Sequence, residues 1–153
     1  GDASGVADCG FGAIFGDEAI FGRWEEIPSE LEGATTCLEL VPLLTSLRHW
    51  GERWSGRLVV FGTDNRGTFY GVNCGRVKGG RSAEVANEVL VEVSESCFVH
   101  NIDLLASWVP RDFNEDSDGL SKLPEAELRV RFPRLVKVAD PLPAIRQSLA
   151  VAR

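Results

Sequence analysis

The stretch that decides the fold is Gly10-Phe11-Gly12-Ala13-Ile14-Phe15-Gly16-Asp17-Glu18-Ala19-Ile20-Phe21-Gly22-Arg23-Trp24. Its first six residues mix small and apolar side chains, which is typical of a strand that other backbone approaches closely. A turn over residues 16–18 leads into a second apolar run, so the stretch predicts a β-hairpin. Residues 25–33 carry four glutamates and a proline and are predicted to form an exposed loop.

The next part of the chain predicts a helix followed by a buried strand. Apolar residues recur at helical spacing at Leu40, Leu43, Leu44, Leu47 and Trp50. Thr36 and Glu39 have the spacing of a capping box. Pro42 instead favours a helix that begins nearer Leu38, because proline is tolerated only in the first turn. The continuously apolar run Leu58-Val59-Val60-Phe61 predicts a strand covered on both faces.

The remaining pattern indicates an α/β domain. Helices are expected over residues 67–72 and 82–96, a strand over residues 99–109, and a short helix from around Asp118. The order strand, strand, strand, helix, strand, helix, helix, strand, helix indicates a mixed sheet flanked by helices. We interpret residues 1–122 as the domain and residues 123–153 as an extension or linker that packs on it. In the extension, residues 128–132 alternate like a strand and residues 141–152 predict a terminal helix.

Composition narrows the classes of protein that need to be considered. The 153 residues suit one domain, and 44% hydrophobic with 25% charged residues is typical of a globular protein. No apolar run approaches the ~20 residues needed to span a bilayer, so no membrane partner and an intracellular location, cytoplasmic or nuclear, are expected. The chain begins with glycine and contains no methionine, so we expect a piece of a longer polypeptide. The four cysteines form no Cys-x-x-Cys pair, which argues against zinc and predicts buried or half-buried thiols.

The net charge of −7 is unusual for a protein that binds nucleic acid. Two bound divalent cations would add about +4 and invert the field at the site that holds them. The basic residues are also clustered, as Arg76, Lys78 and Arg81 and again as Arg129, Arg131, Arg134 and Lys137. The acidic balance therefore does not exclude a nuclease.

Four acidic residues are the candidates for chemistry. Asp2, Asp64 and Asp118 lie where strands meet turns or helices, and Glu39 opens the most apolar helix. Hydrolysis of a phosphodiester at neutral pH can be assisted by two metal ions about 3.5–4 Å apart, and Mg²⁺ prefers oxygen ligands. Carboxylates that converge repel each other unless cations bind between them. Taken singly, however, each acid is more often a helix cap or a turn former.

The four acids lie in four motifs. These are Asp2-Ala3-Ser4 with the following Gly10-Phe11-Gly12-Ala13-Ile14-Phe15, Cys37-Leu38-Glu39-Leu40-Val41-Pro42-Leu43-Leu44 with His49-Trp50-Gly51, Val59-Val60-Phe61-Gly62-Thr63-Asp64-Asn65, and Asn114-x-x-x-Asp118-x-Leu120-Ser121-Lys122. In this order they resemble the ribonuclease H domain of retroelement reverse transcriptases, over nearly all of residues 1–122. The nearest likeness is to DIRS-type retrotransposons, which use a tyrosine recombinase.

The resemblance implies a ribonuclease H-like fold, with a five-stranded mixed sheet of three antiparallel and then two parallel strands. It implies endonucleolytic cleavage of the RNA strand of an RNA–DNA hybrid, with two Mg²⁺ ions that Mn²⁺ can replace, in a polypeptide that also carries an upstream polymerase domain. Asp2 would touch both ions, and Asp118 would share with it the ion that activates water. Glu39 and Asp64 would complete the ion that faces the leaving oxygen.

Other residues are candidates for holding the hybrid. Asn65 could reach the minor groove, where 2′-hydroxyls distinguish RNA from DNA, although a turn role fits it equally well. Arg76, Lys78 and Arg81 lie with two glycines in a segment that suits contacts with the phosphate backbone, or in a merely solvated loop.

The sequence departs from the family at two places. The loop before Asp118 has no histidine, so the assisting role that a mobile histidine has in cellular members is expected to be absent. His100 is expected at the start of the preceding strand, in a structural role. The first strand supplies only Gly1 before Asp2, so we expect residues ahead of Gly1 to be needed to hold Asp2 in place.

Two further readings remain open. The same fold could serve as a catalytically weak module, used as a structural tether or as a platform that holds nucleic acid. It could also belong to a nuclease or transposase that acts on DNA. The four retained acids favour the nuclease over the tether, and the Asp-Gly-Leu-Ser-Lys motif argues against DNA as the substrate.

Overall fold

The computed structural model describes residues 1–6, 9–80 and 82–152 of the chain. Its strands are β1 Asp2–Ala3, β2 Gly10–Phe15, β3 Glu18–Arg23, β4 Leu58–Thr63, β5 Asp103–Trp108 and β6 Arg134–Lys137. Its helices are α1 Thr35–Trp50, α2 Arg66–Cys74, α3 Ala83–His100, α4 Glu115–Lys122, α5 Glu125–Arg131 and α6 Leu142–Ala152. Short 3-10 turns lie at Ser29–Leu31 and Arg111–Phe113. The predicted α/β class and the predicted order of the first nine elements are confirmed.

The strands form two sheets, and the prediction of one five-stranded sheet is wrong. One sheet has the order β1-β2-β3-β6, and the other consists of β4 and β5. The pairs β1–β2 and β2–β3 are antiparallel, while β3–β6 and β4–β5 are parallel. β1 is two residues long and pairs with β2, and no strand of the described residues joins β4 to the four-stranded sheet. Next to β1, a hydrogen bond joins the two sheets: the Gly1 amine donates to the Gly62 carbonyl oxygen at 3.2 Å.

Helix α1 begins earlier than Pro42 led us to predict. It starts at Thr35 and contains Pro42 in its interior, where the missing N–H removes one backbone hydrogen bond. The side chains of Thr45 and Ser46 donate to carbonyl oxygens of the same turn, at 2.9 Å to Val41 and 2.7 Å to Pro42. The leucines of α1 are completely buried, and each contributes about 1.5–3 kcal/mol on burial. Their packing outweighs the cost of the proline.

The region after Lys122 also differs from its prediction. The alternating segment 128–132 lies mostly in α5, and the strand of this region is β6, which pairs with β3. Helix α5 begins after Pro124 with glutamates in its first turn and ends with arginines, as the helix dipole favours. Of its side chains, Leu128 is buried. A short alternating run with one buried residue fits either element, so the pattern alone could not decide.

Two smaller predictions are also corrected. His100 is the last residue of α3 and not the first residue of a strand, because α3 continues to the left-handed Asn101. The four cysteines are free, as predicted, but the Cys74 thiol is exposed and not buried.

The four-stranded sheet is covered on both faces. Ile20 of β3 belongs to the larger core, with the leucines of α1 and residues of α3 and α6. Its neighbours Ala19 and Phe21 belong to a smaller core on the other face, with Leu120 of α4 and Leu128 of α5. This alternation follows from the period of two along a strand. Among the described helices, none has an apolar stretch long enough to cross a bilayer.

Candidate metal centre

Three of the four predicted acids come together at one end of the two sheets. Asp2 lies in β1, Glu39 lies near the start of α1, and Asp64 follows the last residue of β4. Each offers a carboxylate oxygen, and these atoms lie within 4.8 Å of one another. Residues separated by as many as 62 positions reach this arrangement only through the topology of the fold.

Local packing brings each of these residues to its position. Asp2 pairs with Gly12 in β2, and a Cβ atom at Gly12 would lie 2.3 Å from Cβ of Leu120. The missing side chain of Gly12 therefore allows α4 to pack directly against the strand beside Asp2. On the other side of the site, the Asn65 N–H donates to Thr63 Oγ1 at 3.1 Å and shapes the turn that presents Asp64.

Glu39 is the most strongly perturbed acid of the site. Its side chain is buried, with the residue only 8% exposed, and Oε2 has no hydrogen-bond partner among the described residues. The pKa of its carboxyl is raised to about 9, mainly by burial and in addition by the charges of Asp2 and Asp64. A hydrogen bond with the Ala3 backbone opposes this shift. A buried acceptor without a partner costs free energy, and a hydrogen-bond donor or a bound cation at this oxygen would recover it.

Asp2 is buried as deeply as Glu39 but has a partner. The Ser121 hydroxyl lies 2.7 Å from Asp2 Oδ2 and 2.8 Å from the Asp118 carbonyl oxygen, and its one proton can be donated to only one of them at a time. Burial raises the pKa of Asp2, the bond from Ser121 lowers it, and the charges of Asp118 and Asp64 raise it. Ser121 thus fixes the orientation of the Asp2 carboxylate.

Asp118 lies beside the cluster but not within it. Its side chain is 50% exposed, and Oδ1 accepts a hydrogen bond from Lys122 Nζ at 2.7 Å. Asp64 has a weaker cationic neighbour, with Arg111 Nε 3.7 Å from its Oδ2. The Asp118–Lys122 pair is exposed on both sides, and such surface pairs contribute at most about 1 kcal/mol. A cation of higher charge can replace Lys122 at little cost. The Asp64 side chain is only 11% exposed, so its contact with Arg111 is not a surface pair of this kind.

The four acids line one cavity of about 550 Å³. Arg111 and Lys122 stand in its wall with two further acids, and the rest of the lining is uncharged. The further acids are Asp112 and Glu115, and the uncharged residues are Ala3, Ser4, Gly5, Thr35, Asn65 and Asn114. Hard oxygen ligands, with one buried Glu39 oxygen that has no partner among the described residues, fit Mg²⁺ or Mn²⁺. The described lining offers no thiol or imidazole ligand that would favour zinc.

The structure gives Asn65 a local role. Its Oδ1 accepts hydrogen bonds from the Thr68 N–H at 2.8 Å, from Thr68 Oγ1 at 3.1 Å and from Thr36 Oγ1 at 3.3 Å. Asn65 is thus the N-cap of α2 and connects this helix to the start of α1. These bonds use the oxygen of the amide and leave its NH₂ group uncommitted, so contact with a hybrid stays a prediction.

We expect Asn65→Ala to lower the free energy of unfolding by about 1 kcal/mol, because an N-cap acceptor is lost. In a protein of this size that corresponds to a fall in Tm of roughly 2–4 °C. Thermal denaturation followed by circular dichroism measures it. Asn65→Ser keeps a capping oxygen and is the control. Its Tm is expected to lie between those of the wild type and Asn65→Ala. Equal Tm values for wild type and Asn65→Ala would contradict the capping role.

The predicted basic segment lies between α2 and α3. Arg76 and Lys78 are exposed, and Arg81 lies outside the described residues. The segment is fixed by Asn87 of α3, whose amide exchanges two hydrogen bonds with the Val77 backbone at 2.8 and 2.9 Å. Neither Arg76 nor Lys78 is among the residues that line the acidic cavity. Their contact with a phosphate backbone stays a prediction.

Sequence reasoning did not single out three residues that shape the site. Ser121 orients Asp2, Lys122 pairs with Asp118, and Arg111 faces Asp64. Ser121 and Lys122 follow Asp118 at the helical spacings of three and four residues, which is a signal that the sequence does contain. Arg111 belongs to a 3-10 turn whose position relative to Asp64 depends on the tertiary fold.

Comparisons with models of known protein families, with curated proteins and with solved structures found no match to this chain. The α/β fold and the acidic cavity therefore rest on the residues and the geometry described above. The likeness of the four motifs to ribonuclease H remains a hypothesis about function.

Proposed function

We propose that this chain is a Mg²⁺-dependent endonuclease of the ribonuclease H type, which cuts the RNA strand of an RNA–DNA hybrid. The observation that carries the proposal is the convergence of Asp2, Glu39 and Asp64 within 4.8 Å, with one buried oxygen of Glu39 that has no hydrogen-bond partner among the described residues. A binding platform has no need for acids that repel each other in this way, because their convergence costs stability unless cations bind.

In this proposal Asp2, Glu39 and Asp64 hold the cations, and Asp118 at the wall of the same cavity is the fourth ligand. When bound, two such cations lower the pKa of attacking water and offset the charge on the departing oxygen. Ser121 keeps the Asp2 carboxylate oriented toward the cavity through its hydrogen bond. Lys122 offsets the charge of Asp118, and Arg111 offsets that of Asp64, until cations take over that role.

The same two basic residues suit the substrate. Arg111 is 91% exposed and Lys122 is 52% exposed in their side chains, and both border the cavity. Once released from Asp64 and Asp118, they offer positive charge to the phosphates on either side of the scissile bond. Phosphate contacts of this kind position a nucleic acid without reading its sequence. The proposed setting is a reverse transcriptase polypeptide of a retroelement, downstream of its polymerase domain.

The test is to incubate the protein with hybrids labelled on either the RNA or the DNA strand, in Mg²⁺, in Mn²⁺ and in EDTA. We expect cleavage of the RNA strand alone, in either cation, with 5′-phosphate and 3′-hydroxyl ends. Double-stranded RNA and double-stranded DNA of the same sequence are the controls and should stay intact.

A second measurement separates the nuclease from the alternative of a catalytically weak holding module. Mn²⁺ binding, followed by electron paramagnetic resonance, reports the metal centre without requiring turnover. Mn²⁺ binding and hybrid binding without cleavage would support the holding module. Absence of Mn²⁺ binding would remove the basis of both the centre and the nuclease.

A further inference from the structure

A cleft lined by aromatic side chains lies between α2 and the end of β5. It has a volume of about 310 Å³, and its lining residues are Arg66, Phe69 and Tyr70 of α2 and Trp108, the last residue of β5. The three residues of α2 have the spacings that place side chains on one face of a helix. We call this cavity the aromatic cleft. Among the described residues, it shares no lining residue with the acidic cavity.

Both walls of the aromatic cleft are held in place by the protein itself. The Asn73 amide of α2 donates to the Ala106 carbonyl oxygen of β5 at 3.0 Å and accepts from the Ala106 N–H at 2.8 Å. At its other end, α2 is capped by Asn65. A ligand of the cleft would therefore pay little to order the elements around it.

The rings of the aromatic cleft are open to solvent. Tyr70 is 61% exposed and Trp108 is 46% exposed, whereas Phe69 is half-buried. The rings of Phe69 and Tyr70 meet edge to face, with their centroids 5.2 Å apart. Open aromatic faces are the platforms on which proteins stack the bases of single-stranded nucleic acids, largely without regard to base identity.

Arg66 stands where its helix does not favour a cation. It is the first residue of α2, and the helix dipole opposes a positive charge at that end. Its side chain is exposed and makes no hydrogen bond or ion pair with the described residues that would offset this. A guanidinium pairs with phosphate and also stacks on flat rings. The charge therefore fits an anionic ligand of the cleft better than it fits the helix.

The aromatic cleft borders the candidate metal centre. Trp108 is the partner of Thr63 in the β4–β5 pair, and neighbouring strands lie about 4.8 Å apart. Asp64 directly follows Thr63 and precedes the first turn of α2. On the other wall, the 3-10 turn that contains Arg111 begins shortly after Trp108, and Arg111 lines the acidic cavity. A nucleic-acid strand that leaves the acids on this side would meet the cleft.

We propose that the aromatic cleft stacks an unpaired base of the single strand, RNA or DNA, that continues from the hybrid at the metal centre, and that Arg66 binds a phosphate of that strand. This inference rests on the proposed function, which supplies the reason for a nucleic acid to lie here. A proline-rich peptide is another ligand that aromatic grooves bind. The base is favoured, because Arg66 offers a charge that phosphate requires and because the cleft adjoins the acids.

Tryptophan fluorescence tests the aromatic cleft without metal or turnover. Trp108 is the most exposed of the four tryptophans, so a base stacked on it should quench the emission. The protein is titrated in EDTA with oligothymidylate and with oligouridylate of about ten nucleotides. We expect saturable quenching by at least one of them, and the tighter binder identifies the kind of strand. A strand of the same length made of abasic sites keeps the phosphates without the bases and should not quench.

Variants of the cleft connect this signal to its residues. Tyr70→Ala should weaken the binding of the quenching strand about tenfold, as the loss of one stacked base does. Tyr70→Phe keeps the ring and should bind like the wild type. Phe98→Ala is the matched control, because Phe98 is an exposed aromatic residue of α3 that does not line the cleft.

Arg66→Gln separates a binding role from a structural one. It should weaken binding and flatten its dependence on salt concentration, because one contact with a phosphate is lost. Its Tm should equal that of the wild type or lie slightly above it, because α2 loses an unfavourable charge at its first residue. A lower Tm with unchanged binding would assign Arg66 to the fold and contradict its role in the cleft.

Several results would overturn the aromatic cleft as a base-stacking site. These are no quenching by either oligonucleotide, equal quenching by the abasic strand, and equal binding by Tyr70→Ala and Phe98→Ala. Quenching by an oligoproline peptide and not by the oligonucleotides would overturn it in favour of a peptide site. A protein that binds these strands but does not cut hybrids would contradict the nuclease and not the cleft. A protein that cuts hybrids without any quenching would contradict the cleft alone.

Discussion

Asp64→Asn is expected to lower the rate of RNA cleavage on the order of a thousandfold or more, as losses of preorganised electrostatic groups do. The substitution removes one charged ligand from a set of three whose oxygens lie within 4.8 Å. It also relieves repulsion on Glu39, whose pKa the charge of Asp64 helps to raise. The contact with the exposed Arg111 guanidinium, whose Nε lies 3.7 Å from Asp64 Oδ2, is lost with the charge. The metal-free fold should therefore be as stable as the wild type or slightly more stable.

Asp112→Asn is the matched control for this experiment. Asp112 lines the same cavity and carries the same charge, but it is exposed and does not belong to the converging set. The control should cleave at close to the wild-type rate, measured under single-turnover conditions in Mg²⁺. If Asp64→Asn cleaved as fast as Asp112→Asn, the converging acids would not be the catalytic centre.

Glu39 is expected to make the metal-free protein less stable as the pH rises. Its pKa is about 9 in the folded protein against an ordinary value of 4.5, so between these values the folded state holds a proton that the unfolded state has lost. The free energy of unfolding then falls with increasing pH, by up to about 1.4 kcal/mol for each pH unit. The stabilisation is complete below pH 4.5 and is lost as the pH passes through 9. Over this range the free energy of unfolding falls by several kcal/mol in total, and the raised pKa of Asp2 adds to this fall.

Urea denaturation in EDTA between pH 5 and pH 9 measures this effect. The wild type should lose stability steadily across the range, whereas Glu39→Gln should give a much flatter curve and exceed the wild type at pH 9. Glu115→Gln, at an exposed position in the wall of the same cavity, should follow the wild type. Added Mg²⁺ should restore stability at high pH in the wild type and much less in Glu39→Gln. Parallel curves for wild type and Glu39→Gln would contradict the buried, strained state of this carboxyl.

The elements that the sequence predicted well are those decided by neighbouring residues. The hairpin of β2 and β3 follows from two apolar runs around Gly16, and β4 follows from its continuous apolar run. The prediction that β4 is covered on both faces is wrong, because Leu58 and Val60 on one face are exposed. The two sheets were not predicted, because whether β1 pairs with β4 depends on the tertiary fold and not on neighbouring residues. The burial pattern of a strand does not show how far it extends along its neighbours.

The site could be predicted in its residue types but not in its details. Acids at strand ends indicated Asp2 and Asp64, an acid at the opening of the most apolar helix indicated Glu39, and the structure brings these three together. Asp118 was expected with them, but its side chain pairs with Lys122 when no cation competes for it. The depth of burial of Glu39 depends on residues of α1 and β1 that are distant in sequence. No local pattern encodes that burial.

The division into two sheets has a mechanical consequence for the acidic cavity. Asp2 belongs to one sheet and Asp64 follows the last strand of the other, so the distance between their carboxylates measures how the two halves of the domain sit against each other. An ion shared by both would link the two sheets directly, in addition to the apolar core that packs against both of them. A substitution in that core that shifts one sheet against the other would therefore change the spacing of the two carboxylates without touching an acid.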